Sequence, residues 1–498
     1  MLFPTGEFLL LYLPVTLALF FLIARLMGPR AAALWLTVAS LIFYGFWRPI
    51  HVLLLLASIV FNYWAGGLVL RERLAGNEAR GRLIVGLVIA ADLLVLAVFK
   101  YANFIVGSVS ALTGSQLPAL GLALPLGISF FTFTQIAYLV DVHAGKAVER
   151  SPIRYALFVT YFPHLVAGPV LHHSQMMPQF ADARIYSPQL KGLASGMAFL
   201  VLGLCKKVLI ADSFAPVANA VFTAAGAGPV SGAEAWGGAL AYALQIYFDF
   251  SGYSDMAVGL SLLFNVRLPY NFNSPYKATS IIDFWRRWHM SLSTFLRDYL
   301  YFALGGNRRG GGRRYLILMT TMLLGGLWHG ASWTFVVWGG LHGLYLVINH
   351  GWNWLCSRLS LTVGRGPLRW LAQGAAWLLT MCAVIVAWVF FRATDFTSAW
   401  TLLRAMFGVG GLPAPRPEWV TGGGQLWPWM ALLMLFAGLA PNTQQWIDGA
   451  LARWLDRRGA PGSLPVRALL VGGGAVLAIV LVAISESRSV TEFIYFNF

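Results

Sequence analysis

Two histidines stand beside tryptophans in strongly apolar parts of the chain. His289 follows Trp288, and His329 follows Trp328 within a run from Tyr315 to His350 that carries no formal charge. An imidazole in apolar surroundings is costly and tends to face an internal cavity, a partner or a water path. Imidazole is also the side chain best suited to exchange a proton near neutral pH. The pair therefore points to acid–base chemistry in an apolar setting.

His329 has the surroundings expected of a general base. Nearby glycines remove side chains, which allows close helix packing or leaves room for a substrate chain; they are Gly325, Gly326 and Gly330. Trp328 and Trp333 are predicted to form flat walls beside the ring. Burial away from charges disfavours the imidazolium, so the ring is expected to accept a proton at neutral pH. The alternative is a histidine that only packs or hydrogen-bonds in the core.

His289 is predicted to lie on a single helix from Ile281 to Phe302. The apolar residues of this segment recur at helical spacing, and its arginines fall largely on the opposite face, as in helices that lie at a membrane interface. His289 shares the apolar stripe with Trp285 and Leu292 and is expected to point into the protein. A core histidine bonded to a backbone carbonyl is the alternative.

The elements that must position these residues are membrane helices. Hydrophobic residues make up 58% of the chain and charged residues 11%, and the mean hydropathy is +0.69, which is outside the range of soluble domains. Uncharged runs long enough to cross a bilayer recur along the chain, without the alternation of a sheet protein. The fold class is therefore all-α and polytopic, with about 11 spans.

The spans are predicted at residues 8–24, 31–47, 51–70, 83–99, 122–140, 193–210, 235–248 (continuing through 249–255 into a second apolar stretch, 256–264), 370–391, 427–439 and 469–484, together with the central uncharged run. Two prolines and a glycine within Tyr155–Val170 predict a broken or re-entrant element. Gly408–Gln425 is predicted to be a loop, and the tail Phe493–Phe498 to lie at the interface. The whole chain, residues 1–498, is interpreted as one membrane-embedded domain. It divides into N-terminal spans (1–150), a catalytic core (151–350) and C-terminal spans (366–498).

The charge and the cysteines exclude several classes of protein. The formal net charge is +16, but the basic residues lie in short loops, where the positive-inside rule and anionic lipid account for them. No nucleic-acid partner is expected, because no basic stripe with exposed aromatic residues stands outside the apolar runs. The three cysteines are isolated, which excludes a disulfide framework and a CxxC-type zinc site. The first apolar run is expected to be a retained anchor.

Other polar clusters have simpler interpretations. Asp249–Asp255 has too few regularly spaced oxygens for a calcium loop, and Ser254 or Asp255 is predicted to cap the start of a helix. Asp249 could instead orient a catalytic group. His172 and His173 lack further metal ligands, so no metal site is expected. His342 and His350 are expected to be structural or interfacial.

With these residues identified, the chain resembles the membrane-bound O-acyltransferase superfamily, and specifically its bacterial alginate O-acetyltransferase branch. The matching motifs are Phe162-Pro-His-Leu-Val-Ala-Gly-Pro169, Tyr247-Phe-Asp-Phe-Ser-Gly-Tyr-Ser-Asp-Met256, Phe284-Trp-Arg-Arg-Trp-His-Met-Ser-Leu-Ser293, Phe295-Leu-Arg-Asp-Tyr-Leu-Tyr301, Leu304-Gly-Gly-Asn-Arg308 and Leu323-Leu-Gly-Gly-Leu-Trp-His-Gly-Ala331. The similarity extends from the N-terminal spans to about Phe391 and then weakens.

The resemblance implies a helical core with re-entrant and interfacial helices around a central tunnel, with His329 as the catalytic histidine and His289 as a supporting one. It implies acetyl-CoA as the donor, with no bound cofactor, and delivery of acetyl across the bacterial inner membrane to an exopolysaccharide such as alginate. A periplasmic or membrane-anchored SGNH-type partner is expected to complete the transfer. Relatives acetylate peptidoglycan or cellulose, and a more distant branch transfers D-alanine to teichoic acids.

Donor binding is predicted to involve residues around the two histidines. The segment Asn307–Arg314 carries four arginines, which fits positive-inside topology alone or additional contacts to phosphates of the donor. The candidate donor-binding residues are Trp285, Arg286, Arg287, Trp288, Asn307, Arg308, Trp328, Trp333 and Asp249. A covalent acetyl-histidine is less favoured, because no flanking carboxylate is evident.

Two other function classes are compatible with the composition. A polysaccharide-precursor exporter or flippase would need coupling carboxylates within the membrane, and the candidates are Asp92, Asp249 and Asp255. A structural scaffold that recruits a secreted acetylase would need neither histidine. Thioester turnover by the purified protein separates all three.

Overall fold

The protein is helical throughout the part described by the structure, a computed structural model. It describes residues 1–360, 366–409, 423–453, 472–474, 476 and 493–494, and for residues 308, 309, 311 and 423–425 it describes the backbone. No β-strand occurs among these residues. The chain forms two compact units. The first comprises residues 1–204, 253–270 and the described residues from Ile447 on, and the second comprises residues 205–252 and 271–446.

The first unit begins with long helices and continues with short ones. They are α1 (Leu13–Met27, preceded by a π-helical turn over Glu7–Tyr12), α2 (Pro29–Gly45), α3 (Pro49–Leu74), α4 (Glu78–Thr113), α5 (Ile128–Ala144), α6 (Pro152–Thr160), α7 (Phe162–Leu165), α8 (His173–Ala181) and α9 (Leu190–Leu204). In this unit α1 packs on α2, and α3, α4 and α5 pack on one another.

The second unit holds the remaining helices. A π-helical turn over Cys205–Ala211 leads into α10 (Asp212–Ala227), and α11 (Gly232–Leu263) begins in this unit. The others are α12 (Ile281–Trp285), α13 (Met290–Phe295), α14 (Gly311–His329), α15 (Trp333–Arg358), α16 (Pro367–Arg392), α17 (Phe396–Met406) and α18 (Gly423–Leu439). Within it α14 and α15 form an antiparallel pair, α15 packs on α16, and α10 packs on α17.

The helices confirm a multi-pass membrane protein. Five described helical segments are long and apolar enough to cross a bilayer: Glu7–Met27, Pro49–Leu74, Glu78–Thr113, Leu190–Ala227 and Pro367–Arg392. Large apolar side chains face outward along them, and on α4 Leu83, Leu87 and Leu94 are each more than 60% exposed. Such continuous apolar surface needs a lipid environment. The figure of about 11 spans and the central tunnel stay predictions.

Several helix boundaries agree with the sequence and others correct it. The predicted break in Tyr155–Val170 is confirmed, since α6 ends before Tyr161 and α7 begins at Phe162. The span predicted from residue 122 is wrong at its start, because Gly127 adopts φ +69° and α5 begins only at Ile128. Most of the predicted span 469–484, most of the tail and most of the 408–425 loop lie outside the described residues.

The predicted helix start at Ser254 or Asp255 is wrong. Both residues lie inside α11, which runs without interruption from Gly232 to Leu263. The glycine and the two serines between Asp249 and Asp255 do not end the helix, because the surrounding residues are apolar and buried. A helix embedded in such packing tolerates weak helix formers.

Candidate functional site

The helix that carries His329 is held unusually close to its neighbour by glycine. A Cβ on Gly326 would lie 2.3 Å from the carbonyl oxygen of Phe335 and 3.1 Å from the Cα of Gly339. A Cβ on Gly339 would lie 2.4 Å from the carbonyl oxygen of Met322. Since no real side chain tolerates these distances, α14 and α15 can approach this closely only with glycine at both positions. At Gly326 the structure therefore supports close packing, one of the two alternatives drawn from the sequence.

His329 is the last residue of α14, at a sharp turn into α15. Gly330 follows in an extended conformation, and a Cβ there would lie 2.1 Å from the Phe335 ring. The hydroxyl oxygen of Ser332 then accepts the backbone N–H of Thr334 and caps α15. The turn fixes the direction of the imidazole, which is only 2% exposed.

Aromatic rings enclose His329 on several sides. The ring centroids of Trp328 and Trp338 each lie 5.0 Å from that of His329, and the Phe391 centroid lies 5.3 Å away. All three contacts are edge-on, with interplanar angles between 67° and 85°. Trp328 is one of the two tryptophans predicted to lie beside the imidazole. Trp338, on α15, and Phe391, on α16, were not predicted there. Trp333, the other predicted wall, is 53% exposed.

The segment that carries His289 is broken, so the single helix predicted over Ile281–Phe302 is wrong. It consists of α12, α13 and a π-helical turn over Leu296–Tyr301, and His289 stands directly before α13. The backbone N–H of Met290 donates to the carbonyl oxygen of Asn271 at 2.9 Å, and the N–H of Asn273 donates to that of Arg287 at 2.9 Å. These bonds turn the backbone out of helical pairing, so tertiary contacts override the helical pattern.

His289 has a backbone conformation that is rare for histidine. Its φ is +43° and its ψ is +52°, in the left-handed region. Residues held in this region cost on the order of 1–3 kcal/mol and cluster at functional sites. The side chain is 0% exposed, which agrees with the expectation that it points into the protein.

The two histidines are neighbours. Their ring centroids lie 6.2 Å apart, and the Phe250 ring packs edge-on against His289 at 4.7 Å. Burial lowers the pKa of His289 to about 3, so this imidazole is neutral at physiological pH. A neutral imidazole has one N–H donor and one acceptor nitrogen, which suits hydrogen bonding to an uncharged reacting group.

Tryptophans extend the cluster beyond the histidine pair. Trp288 is fully buried and contacts Trp388, at 4.9 Å between ring centroids. The Trp285 indole N–H donates to Nδ1 of His342 at 3.3 Å, and the His342 ring lies 4.9 Å from that of Trp338. His342 is 0% exposed. The indole contact requires Nδ1 to accept, so the proton of the neutral ring is on Nε2.

Asp249 belongs to a buried ion cluster. The Lys207 ammonium lies 2.7 Å from a carboxylate oxygen of Asp249 and 2.7 Å from one of Asp212. The Lys207 and Asp249 side chains are 4% and 2% exposed, and that of Asp212 is 12% exposed. The cluster ties the π-helical turn before α10 to α11. Sequence reasoning assigned Asp249 to donor binding or catalytic orientation and did not anticipate its lysine partner.

The remaining candidates for donor binding differ in their partners and in their exposure. Arg287 pairs with Asp283 at 2.9 Å, one helical turn earlier, and Arg286 is exposed. The amide oxygen of Asn307 accepts the hydroxyl of Tyr301 at 2.7 Å. The side chain of Arg308 lies outside the described residues. No group of three or more His, Cys, Asp or Glu within the described ranges is placed to hold a metal ion.

Sequence reasoning missed part of the aromatic shell. The missing members are Trp338, His342, Trp388, Phe391 and Phe250. One signal was present, because Trp338 and His342 are four residues apart and must share a helix face. The others come from helices distant in the sequence, so no local pattern joins them to the histidines.

Comparisons with known proteins identify the family of the chain. A family model described as MBOAT, membrane-bound O-acyltransferase family, matches residues 142–393. The chain is 42% identical to a peptidoglycan O-acetyltransferase of Helicobacter pylori, over 83% of this chain and 81% of that one. It is 44% identical to the probable alginate O-acetylase AlgI of Pseudomonas aeruginosa, over 82% and 75% of the two chains. It is also 44% identical to the corresponding protein of Azotobacter vinelandii, over 82% and 79%. The chain therefore belongs to the membrane-bound O-acyltransferase family.

Proposed function

We propose that this membrane O-acetyltransferase takes an acetyl group from acetyl-CoA on the cytoplasmic side of the bacterial inner membrane and supplies it for O-acetylation of an exopolysaccharide such as alginate. The observation that carries the proposal is the pairing of His329 and His289, with ring centroids 6.2 Å apart inside a buried aromatic shell. The relatives named as O-acetyltransferases support acetyl as the transferred group.

His329 acts as the general base in this proposal. It removes the proton from an acceptor hydroxyl while the hydroxyl oxygen attacks the thioester carbonyl carbon. The new C–O bond forms, the C–S bond breaks, and the proton passes from His329 to the departing thiolate. Such proton transfer contributes roughly 10²–10⁴-fold to a rate. The fixed turn at Gly330 and the walls of Trp328 and Trp338 support this role, because they restrict the imidazole to one orientation.

His289 holds the carbonyl oxygen of the thioester in this proposal. A neutral ring can donate its N–H as negative charge develops on that oxygen. Donors already oriented in a buried site lower the barrier most, because no reorganisation is needed during the reaction. The left-handed backbone of His289 supports this role, since two backbone hydrogen bonds to the 271–273 segment hold the residue in place.

The names of the relatives suggest candidate acceptors. Alginate is the first candidate acceptor, and peptidoglycan is the second, because a relative of similar identity has that name. Cellulose is a further possibility, and D-alanyl transfer to teichoic acid is less favoured. Delivery outside the membrane calls for a periplasmic or membrane-anchored SGNH-type partner. Family membership favours an enzyme over an exporter or a scaffold, the two other classes that the composition allowed.

Substitution of His329 tests the proposal. The purified His329→Ala protein should lose transfer of labelled acetyl from acetyl-CoA by at least about 10²-fold, with normal membrane insertion and thermal stability. His350→Ala is the matched control, because His350 lies on α15, next to Tyr315, and should retain activity. Full activity of His329→Ala would refute the proposal. Adding oligomannuronate or glycan fragments of peptidoglycan together with the partner protein then distinguishes the acceptors.

A further inference from the structure

A cleft lined by arginines opens in the first unit. Its cavity volume is about 500 Å³, within the size range of sites for small organic ligands. Arg30, Arg150 and Arg154 contribute to its wall. None of these arginines belongs to the histidine site, and neither the sequence motifs nor the proposed reaction uses them.

The charges around the cleft do not cancel. Glu149 pairs with Arg154 at 3.1 Å and also accepts the backbone N–H of Ser151 at 2.6 Å. Arg30 and Arg150 then remain as two further positive charges, and the residues lining the cleft include no carboxylate. Guanidinium groups converging on one cavity are suited to phosphate, which they bind through paired hydrogen bonds.

Two helices begin at the cleft and add to its positive potential. Pro29 is the first residue of α2 and lines the cleft, and Ser151 caps the N-terminus of α6. A helix N-terminus carries partial positive charge and favours anions. The arginines and both helix starts therefore attract the same kind of ligand.

The cleft also has an apolar side. Ala33, Ile153 and Phe180 line it together with Tyr186, whose hydroxyl donates to the Phe180 carbonyl oxygen at 2.9 Å. A small inorganic anion would leave this surface uncovered. An organic phosphate ester would place its phosphate on the arginines and its apolar part on these side chains.

The location of the cleft fits a membrane surface. The Tyr63 hydroxyl of α3 donates to the carbonyl oxygen of Arg150 at 2.9 Å. The Arg73 side chain packs against Gly145, where an added Cβ would lie 1.8 Å from the guanidinium. The cleft thus lies beside the C-terminal half of α3, and the positive-inside rule assigns the basic end of this helix to the cytoplasm. Anionic phospholipids are abundant on that side, and the acyl donor also arrives there.

We propose that this cleft binds an organic phosphate ester, either the head group of an anionic phospholipid or the phosphorylated portion of the acyl donor. The donor alternative rests on the proposed function, but binding at the cleft requires no turnover and can be measured separately. His329→Ala should leave it intact, so failure of one proposal is distinguishable from failure of the other.

Binding measurements on the full-length protein in a phosphate-free detergent test the proposal. Native mass spectrometry with phosphatidylglycerol, and separately with coenzyme A, gives an affinity for each source. Arg30→Gln combined with Arg150→Gln should weaken binding of at least one of them by 10-fold or more. Arg25→Gln is the matched control, since Arg25 lies in the last turn of α1, is exposed and does not line the cleft.

The pattern of losses identifies the source. Loss for the lipid alone indicates a head-group site, loss for coenzyme A alone indicates a donor site, and loss for both indicates general phosphate recognition. Unchanged affinities for both ligands, or no binding by the wild type, would overturn the proposal. If the double variant does not fold, Ala181→Trp serves instead, because Ala181 is an exposed residue of the cleft and the larger side chain should block binding.

Discussion

His329 and His289 are fixed in different ways, and the difference predicts how each responds to substitution. His329 is positioned by a helix end and by the rings around it, so its role resides in the imidazole. His289 has both an imidazole and a left-handed backbone with φ of +43°. Replacing it therefore changes two properties, which only a set of variants can separate.

Three substitutions at His289 separate the side chain from the backbone. His289→Gly accommodates the left-handed conformation but has no side-chain N–H donor. His289→Ala has no donor either, and it does not readily adopt the left-handed conformation. His289→Asn tolerates the conformation and keeps an N–H donor. If the ring donates to the thioester oxygen, kcat should fall by ~10²-fold in the Gly variant, because removal of one such donor typically has an effect of this size. The Asn variant should retain more activity.

Thermal stability measured beside kcat completes this test. The Ala variant should melt at a lower temperature than the Gly variant, because the left-handed backbone is strained for alanine and not for glycine. Wild-type kcat in His289→Gly would refute a role for the ring and leave only a structural one. The low pKa of His289 adds a further check, since this ring stays neutral down to about pH 3. An acidic limb of the rate profile near pH 6 must then arise from another group.

At the residue scale, the sequence showed which residue types could carry the chemistry but said little about which side chains surround them. The two histidines and Trp328 could be selected because an imidazole beside an indole in an uncharged run is costly without a function or a bond. For Trp338 the sequence offered one signal, its spacing four residues before His342 on a shared helix face. Phe391 could not be selected, because it reaches His329 from α16 through packing, which no spacing along the sequence encodes.

At the scale of elements, the close contact between α14 and α15 predicts that one methyl group added at Gly326 lowers both stability and activity. Gly326→Ala forces a Cβ to within 2.3 Å of the Phe335 carbonyl oxygen, so the helices must separate. Overpacking of this kind typically costs 1–3 kcal/mol, and His329 moves with the end of α14. We expect a lower melting temperature and an activity loss of about 10-fold or more, because small displacements of catalytic groups are costly.

Gly312→Ala is the matched control for this prediction. Gly312 belongs to the same helix, and an added Cβ there would meet nothing within 4 Å. Alanine also has the higher helix propensity, so the control should be neutral or slightly stabilising. Equal melting temperatures for the two variants would contradict the close packing at Gly326.

The buried ion cluster predicts a second effect at this scale. Lys207→Met leaves the carboxylates of Asp212 and Asp249 without their shared cation. Removing one partner of a buried ion pair costs about 3–5 kcal/mol, which thermal unfolding should register. Adding Asp249→Asn should recover part of the loss. Arg297→Met is the control, because the Arg297 and Asp298 side chains are 57% and 35% exposed and such pairs contribute ~1 kcal/mol or less. Similar losses in both variants would contradict the buried role of Lys207.

Helix boundaries show where sequence patterns suffice and where they fail. The break in Tyr155–Val170 was predictable because proline removes a backbone donor and clashes with a continuing helix. The break before His289 was not predictable, since it depends on the hydrogen bond from the Met290 N–H to the Asn271 carbonyl and on the one from the Asn273 N–H to the Arg287 carbonyl. Ser280 accepts the backbone N–H of Asp283 at 3.1 Å, and this local cap marks the start of α12 but gives no indication of its end.

At the scale of the whole molecule, composition determined the class. A chain with 58% hydrophobic residues cannot bury them all in a soluble core, and the exposed leucines of α4 show the result. The number of spans is harder to derive, because helix ends shift when glycine and proline residues lengthen the connections. The connection before α5 is such a case, since α4 ends at Thr113 and α5 begins at Ile128.

The distribution of arginines predicts the orientation of α4 in the membrane. This helix has 36 residues, so at about 1.5 Å per residue it is longer than the ~30 Å hydrocarbon core and its ends should lie on opposite sides. The basic connection before it is expected in the cytoplasm. Ala75 and Ser115 flank the helix, and both are exposed. In a variant lacking Cys205, Cys356 and Cys382, a membrane-impermeant maleimide added to intact spheroplasts should label Ser115→Cys and spare Ala75→Cys until the membrane is permeabilised. The reverse pattern would invert the topology and place the arginine cleft on the outer face, where acetyl-CoA is absent.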